Sequence, residues 1–307
     1  MEIKTVSLIG LGALGILFAQ LLSEHMAPGT LKIVADRERI SRYARDGVYC
    51  NGKRCRFEFL APDEICQPAD LVILAVKMNG LGDAIGAIRG HVGADTTVLS
   101  LLNGISSEAL IGRTYGTDKT LLCVAQGMDA VKVGNSLTYH HTGQLSFGDL
   151  VPGSPSDKVK AVERFFIKTG IPHEVVGDMR KRQWSKFMIN VGANQTTAVF
   201  QCNYGGIQEG GKYRDTCIAA MREAAALSEY EHINLKQEDI DYWLRVIDGL
   251  NPDGKTSMQQ DVEAGRLTEV ELFAGTILSL GKKHGLPCPV NQMLYDEIKS
   301  IEHRRKT

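Results

Sequence analysis

Short β-branched runs alternate with amphipathic stretches over the first half of the chain, which predicts βαβ units feeding a parallel sheet. Residues 6–9 read as the first strand, 13–25 as a helix, 31–35 as the second strand and 37–45 as a second helix. Asn51-Gly52, flanked by Tyr49 and Phe57, predicts a hairpin turn. Residues 70–76 include the unbroken apolar run Leu-Val-Ile-Leu-Ala-Val, suited to a strand buried on both faces. Residues 96–102 and 119–125 repeat that pattern. From 134 to 149 the alternation is looser, with Tyr139, His141, Leu145 and Phe147, and predicts antiparallel strands that close the sheet. His140 and His141 then read as strand neighbours facing opposite ways, so no metal site is expected of them. A helix at 157–168 and a strand at 173–176 finish this region.

Beyond Gly177 the β-branched runs stop and helical periodicity takes over, at 179–200, 212–232, 237–250, 268–284 and 291–303. Gly205-Gly206 with Gly210-Gly211, and Pro252, Pro287 and Pro289, mark breaks between helices. With 307 residues the chain is about twice the usual domain length. Two domains are therefore expected, one over 1–177 and a helical one over 178–307. The 43% hydrophobic and 23% charged residues are enough to bury a core without disulfides or metals. A net charge of −1 offers no long-range attraction to phosphate polymers or anionic lipid, so neither nucleic acid nor membrane is an expected partner. Cys50, Cys55, Cys66, Cys123, Cys202, Cys217 and Cys288 form an odd set with no C-x-x-C pair, which fits a reducing cytoplasm. Met1 runs almost directly into the first strand without a basic, apolar leader pattern, in keeping with that location.

Candidate chemistry begins at Gly10-Leu11-Gly12-Ala13-Leu14-Gly15, a G-x-G-x-x-G that follows a predicted strand and opens a predicted helix. The first glycine permits a tight turn, the second lets backbone N–H groups reach a pyrophosphate, and the third lets helix and strand pack closely. The helix N-terminus favours the anion. The expected fold is thus α/β: an N-terminal Rossmann-type doubly wound parallel sheet with an all-helical C-terminal domain. Asp36 closes the second strand 26 residues after Gly10, where an acid would take the adenosine ribose hydroxyls and point to NAD(H). Arg37 and Arg39 follow at once, and a guanidinium there could instead hold a 2′-phosphate. A solvated helix start capped by Asp36 would also account for all three.

In the first helix after the boundary, Lys186, Asn190 and Asn194 recur every four residues, drift by only about 40° per step, and share one face. Phe187, Ile189, Val191 and Ala193 make this helix largely apolar, so a lysine and two amides on it need partners or a ligand. A lysine suits carbonyl reduction, because the alkoxide left by hydride addition must be protonated. A carboxylate would support it, and Asp261, Glu263, Glu269 and Glu271 lie in one segment with nothing in the pattern to choose among them.

These residues resemble the ketopantoate reductase (2-dehydropantoate 2-reductase) family, NADPH-dependent enzymes of pantothenate biosynthesis on the route to coenzyme A. The matching pieces are the 10–15 glycine loop, Ala75-Val76-Lys77, Leu102-Asn103-Gly104, Trp184-Ser185-Lys186-Phe187 with Asn190 and Asn194, and Ser257-Met258-Gln259-Gln260-Asp261 running to Thr268-Glu269. The resemblance implies Lys186 as general acid and Glu269 as its supporting carboxylate. It also implies Asn190, Asn194 and Ser257 as substrate contacts, Asn103 as a contact to both cofactor and substrate, and Lys77 as a lysine lining the cofactor site. Three positions depart from the family pattern. Asp36 stands where members commonly carry a base, which brings NAD(H) beside NADP(H); Gln195 replaces a proline after Asn194; and Gly254 replaces an amide that helps hold the substrate. The expected reaction is reduction of a 2-keto acid, ketopantoate first among them, by a chain expected to form a homodimer. The alternatives are a related dehydrogenase for another 2-keto or 3-hydroxy acid, and a non-catalytic dinucleotide sensor, which has no need of the Lys186 stripe.

Overall fold

Leu71–Leu74 is the strand around which the first half of the molecule is built. Its residues are all buried, Leu71 and Ile73 in one apolar cluster and Val72 and Leu74 in another, as the two-residue period of a strand requires. In the computed structural model, which describes residues 2–304, it is β6 of twelve strands. The others are β1 (Val6–Ile9), β2 (Leu31–Val34), β3 (Tyr49–Cys50), β4 (Lys53–Arg54), β5 (Phe59–Leu60), β7 (Thr97–Ser100), β8 (Thr120–Met128), β9 (Val131–Val133), β10 (Ser136–Thr138), β11 (Thr142–Gly148) and β12 (His173–Val175).

Eight of them form one sheet in the order β12-β11-β8-β7-β6-β1-β2-β5. Its pairs are parallel except β8 with β11. Helices α1 (Ala13–His25) and α5 (Asp157–Thr169) contribute Leu17, Phe18 and Phe166 to the cluster on one face. Helices α3 (Leu81–Ala87) and α4 (Ser107–Tyr115) contribute Leu81, Ala84 and Ile111 to the other, while α2 (Arg37–Asp46) follows β2. This is the doubly wound α/β arrangement expected. The order reverses between β1 and β6, so the ends of those strands flank a topological switch point, where such sheets bind ligands.

Only β11 of the 134–149 segment closes the large sheet. Ser136–Thr138 pairs instead with β9 and β3 in a separate four-stranded sheet, order β4-β3-β10-β9. That sheet includes the Asn51-Gly52 hairpin, whose two turn residues have φ of 46° and 77°, as a two-residue turn between twisted strands needs. His140 and His141 are not strand residues. They sit in the turn between β10 and β11, where both backbone N–H groups donate to Asp129, at 2.8 and 2.7 Å. Those bonds, that from His141 foremost, hold the Asp129 carboxyl below the usual carboxylate range.

The chain divides into two compact units, up to Arg180 and from Lys181 onward. Helix α6 (Met179–Ile189) spans that division. The second unit is helical, with α7 (Gln195–Phe200), α8 (Gly205–Gln208), α9 (Lys212–Tyr230), α10 (Gln237–Asp248), α11 (Ser257–Glu263), α12 (Thr276–His284) and α13 (Pro289–Arg304). Two of the expected helices are not uniform. The 179–200 segment passes through a π-helical turn at Asn190–Asn194, and 268–284 opens with three non-helical residues and a second π turn at Glu271–Gly275. In the latter, Gly275 N–H reaches back five residues to Val270 C=O at 3.0 Å. Gly205-Gly206 opens the short α8 rather than a bare break. Pro289, expected to interrupt a helix, is the first residue of α13, where its missing N–H costs nothing.

Candidate active site

The glycine loop joins β1 to α1. Gly10 has φ of +99°, and a Cβ there would stand 2.6 Å from Ala75 C=O; a Cβ on Gly15 would stand 1.8 Å from Gly10 C=O. Both glycines are therefore obligatory for strand, turn and helix to pack this closely. Gly12 is exposed and occupies the N-cap of α1 without a side-chain cap, and the first turn carries no acid. The leading N–H groups of α1, with the backbone of Leu11, Ala13 and Leu14, thus form a cradle that fits a pyrophosphate. Lys77 follows β6 and Asn103 follows β7, at the same carboxyl edge of the sheet; Lys77 is exposed and Asn103 half-buried, beside Gly104 with φ of +87°.

Asp36 lies at the end of β2 and caps α2, its Oδ1 accepting from Arg39 N–H at 2.7 Å and its Oδ2 pairing with Arg39 Nε at 3.3 Å. Arg37 turns to Asp63, donating from Nη2 at 2.9 Å and Nε at 3.2 Å. This hydrogen bonding, reinforced by charge, holds Arg37 above its usual range and Asp63 below its own. The two arginines nearest the strand end are each already engaged with a carboxylate.

In the helical unit, burial singles out the stripe. From Gln183 to Ala198 only Lys186 and Asn190 are not buried. Neighbouring Ser185 accepts from the indole N–H of Trp243 at 2.8 Å, which anchors α6 beside Lys186. Asn194 is 8% exposed and hydrogen-bonded on both sides: its amide donates to Asn190 Oδ1 at 3.1 Å, and its Oδ1 accepts from Ser257 Oγ at 3.0 Å and from Met258 N–H at 3.2 Å. The structure so unites three of the expected substrate contacts in one chain of bonds. Ser257 is not a cap; Thr256 caps α11, accepting from Gln259 N–H, and its hydroxyl meets that of Thr197 on α7 at 2.7 Å. A Cβ on Gly192 would stand 2.8 Å from Cys217 C=O, so glycine is what lets α9 approach the π turn.

The four acids also separate. Asp261 pairs with Arg266 at 2.8 Å, Glu263 with Lys255 at 2.7 Å, and Glu271 with Lys299 at 3.1 Å and Tyr295 at 2.7 Å. Hydrogen bonds from Lys255 and Gln259 hold Glu263 below the carboxylate range, whereas at Glu271 burial pushes upward and the bonds from Tyr295 and Lys299 prevail in lowering it. Glu269 is half-buried just ahead of the second π turn, its C=O accepting from Leu272 and Phe273 N–H. Spacing along the chain did not reveal the contribution of Met258 N–H, Thr197 or Thr256, because each depends on how α11 meets α7. The replacement of proline by Gln195 pointed the other way, to a helix without a break, and the π turn at Asn190–Asn194 departs from that expectation.

Among the described residues no disulfide links the cysteines, no group of three or more His, Cys, Asp and Glu could hold a metal ion, and no helix is long and apolar enough to cross a membrane.

Comparison with known proteins gives concordant results. Residues 6–152 match the family described as ketopantoate reductase PanE/ApbA, and residues 178–302 match its C-terminal counterpart. A 2-dehydropantoate 2-reductase of Aquifex aeolicus is 26% identical over 307 residues, covering 96% of each chain. Among solved structures, a ternary complex of D-mandelate dehydrogenase with NADH and anilino(oxo)acetate superposes with a TM-score of 0.86 at 21% identity, covering 99% of this chain and 100% of that one. A dimeric ketopantoate reductase from Staphylococcus aureus gives 0.78 at 18% identity, covering 98% and 99%.

Proposed function

The chain belongs to the ketopantoate reductase family and is an NAD(P)-dependent oxidoreductase acting on CH–OH groups, and from that premise we propose that it reduces 2-dehydropantoate to pantoate with Lys186 as general acid. The observation that carries this reading is the exposure pattern of residues 183–198, where an otherwise buried helix presents only Lys186 and Asn190, with Asn194 fixed behind them by Ser257. The bound dinucleotide supplies the hydride that adds to the carbonyl carbon. Lys186 polarises the carbonyl oxygen with its charge, gives it a proton as the alkoxide forms, and is reprotonated from solvent. Asn190 and Asn194 orient the keto and hydroxyl end of the substrate, Ser257 takes its carboxylate by turning its one hydroxyl proton away from Asn194 Oδ1, which Met258 N–H still holds, and Asn103 contacts both substrate and nicotinamide. Glu269, half-buried just ahead of the second π turn, supports Lys186 and receives the product hydroxyl.

For the donor we favour NADH over NADPH. The Asp36 carboxylate repels a 2′-phosphate and accepts from ribose hydroxyls, and Arg37 is held by Asp63. On this reading the protein serves pantothenate and coenzyme A biosynthesis in the cytoplasm, and the dimeric Staphylococcus aureus relative supports a homodimer. One observation favours a second substrate. A Cβ on Gly254 would lie 3.0 Å from both the ring of Tyr204 and Asn251 C=O, so this position packs too tightly for the amide of the family pattern. Loss of that amide's hydrogen bonds to substrate suits a 2-keto acid with a more apolar side chain. Nicotinamide absorbance followed with 2-dehydropantoate and a panel of branched and aryl 2-keto acids, with NADH and NADPH side by side, decides among these. Fastest turnover of 2-dehydropantoate with NADH is expected; turnover of none of the acids would remove the reading.

A further inference from the structure

The buried side chain of Gln195 closes both π turns at once. A π turn leaves backbone groups without their usual partners four residues away. In the first, Gln195 N–H goes to Gly192 C=O, and Val191 C=O, its ordinary helical partner, is taken instead by the same residue's side chain, Nε2 donating at 2.7 Å. In the second, Val270 C=O accepts from Phe273 and Gly275 N–H, and Ala274 N–H turns outward to Gln195 Oε1 at 3.0 Å. One amide thus satisfies an acceptor displaced from one turn and a donor displaced from the other. Gln195 is fully buried, where neither group could find water.

The orientation of that amide is fixed from a distance. Glu223 on α9 accepts from Val290 N–H at 2.8 Å, Asn291 N–H at 2.9 Å and Asn291 Nδ2 at 2.7 Å, so the Oδ1 of Asn291 is the end that faces Gln195 Nε2, at 3.0 Å. An ionised carboxylate only accepts, and this sets the polarity of the whole chain from Glu223 through Asn291 and Gln195 to Ala274.

We propose that Gln195 is a positioning residue that sets the register between the turn bearing Asn190 and Asn194 and the turn preceded by Glu269. The role rests on the keto-acid reductase reading above. Gln195 touches no substrate; it acts by fixing the backbone from which those three side chains project. A family member with proline at this position has no amide to offer, so the device belongs to this chain.

Gln195→Leu keeps the volume and removes all three bonds, and Gln195→Glu keeps the acceptor for Ala274 while losing the donor except when protonated. Ser228→Ala, which deletes a buried bond to Leu235 N–H in the same unit, serves as the structural control. We expect Gln195→Leu and Ser228→Ala both to lower the unfolding temperature. Only Gln195→Leu should lower kcat, by tenfold or more, with the dinucleotide Kd within twofold of the parent. Gln195→Glu should regain activity relative to the parent as pH falls from 8 to 6, and it carries the test should the leucine variant not fold. Amide exchange gives a readout without turnover: Ala274 should lose protection in Gln195→Leu while Leu235 keeps it. Parental kcat in Gln195→Leu, or a flat relative pH response in Gln195→Glu, overturns the proposal. If the parent chain reduces no keto acid, the reductase reading fails, and the exchange result alone decides whether the clamp exists.

Discussion

Ser257 donates its hydroxyl to Asn194 Oδ1 across 3.0 Å, joining the start of α11 to the first π turn. Met258 N–H adds a second bond to the same oxygen, so the Asn194 amide is held in one orientation with its N–H toward Asn190. Asn194→Ala strands the buried Met258 N–H and should cost about 1–3 kcal/mol of stability, with kcat/KM lowered at least tenfold. Ser257→Ala should raise the KM of the keto acid more than it lowers kcat. Because the two residues touch, the double variant should fall short of additivity by about 0.5–3 kcal/mol. Kinetics and thermal melts of the full cycle check this; strict additivity would show that the bond does not order the site.

Lys186→Ala should lower kcat by about two to four decades, the scale of a lost general acid, while leaving dinucleotide affinity as it was. Fluorescence titration with NADH beside steady-state turnover separates the two. Undiminished turnover would remove Lys186 from the chemistry.

Asp36→Asn tests the cofactor tail without disturbing the helix, since asparagine caps as well as aspartate. The kcat/KM ratio of NADPH to NADH should rise tenfold or more, with the melting temperature little changed. An unchanged ratio would mean that Asp36 serves α2 alone.

Gly10→Ala forces a Cβ to within 2.6 Å of Ala75 C=O at a φ of +99°. Strain of this kind costs about 1–3 kcal/mol, and relief of the clash would widen the turn that holds the cradle. Dinucleotide binding should be lost in calorimetry while circular dichroism keeps the α/β signature.

Glu231 receives bonds from Lys283 and from His284, the latter at 2.7 Å. Burial pushes its carboxyl upward, but those bonds and charges prevail and hold it below its ordinary value. A carboxyl lowered by folding contributes stability that is fully present above the unfolded value of about 4.3. That contribution is lost as pH falls through the lower folded value. Glu231→Gln should therefore be less stable than the parent at neutral pH and converge with it in acid, as urea midpoints measured from pH 7 to 3 would show. A gap that widened in acid would contradict the assignment.

Much of this molecule is legible along the chain because strands buried on both faces are dominated by apolar residues. Leu71–Leu74 is apolar at every position, and Thr97–Ser100 keeps Val98 and Leu99 between two buried hydroxyls. Gly10 and Gly15 were equally plain, since their backbone approach tolerates nothing else. Ser136–Thr138 was misplaced because three residues carry too little pattern to say which sheet they join, and that choice depends on β3, more than 80 residues earlier. The π turns escaped because one additional residue in a buried helix leaves its apolar periodicity nearly unaltered over five positions. Nor does spacing along the chain show which of the four carboxylates face Arg266, Lys255 and Lys299, since those pairings depend on the tertiary fold.

A π turn also works as a phase shifter. Removing one residue from 191–193 would restore the ordinary helix, and everything beyond it would rotate by about 100° about the axis. Lys186 lies before that point, and Thr197, which meets Thr256 at the head of α11, lies after it. The angular offset between Lys186 and the helix that brings in Ser257 is thus written in chain length. A single-codon deletion could retune the aim of the site with every side-chain identity in it left intact.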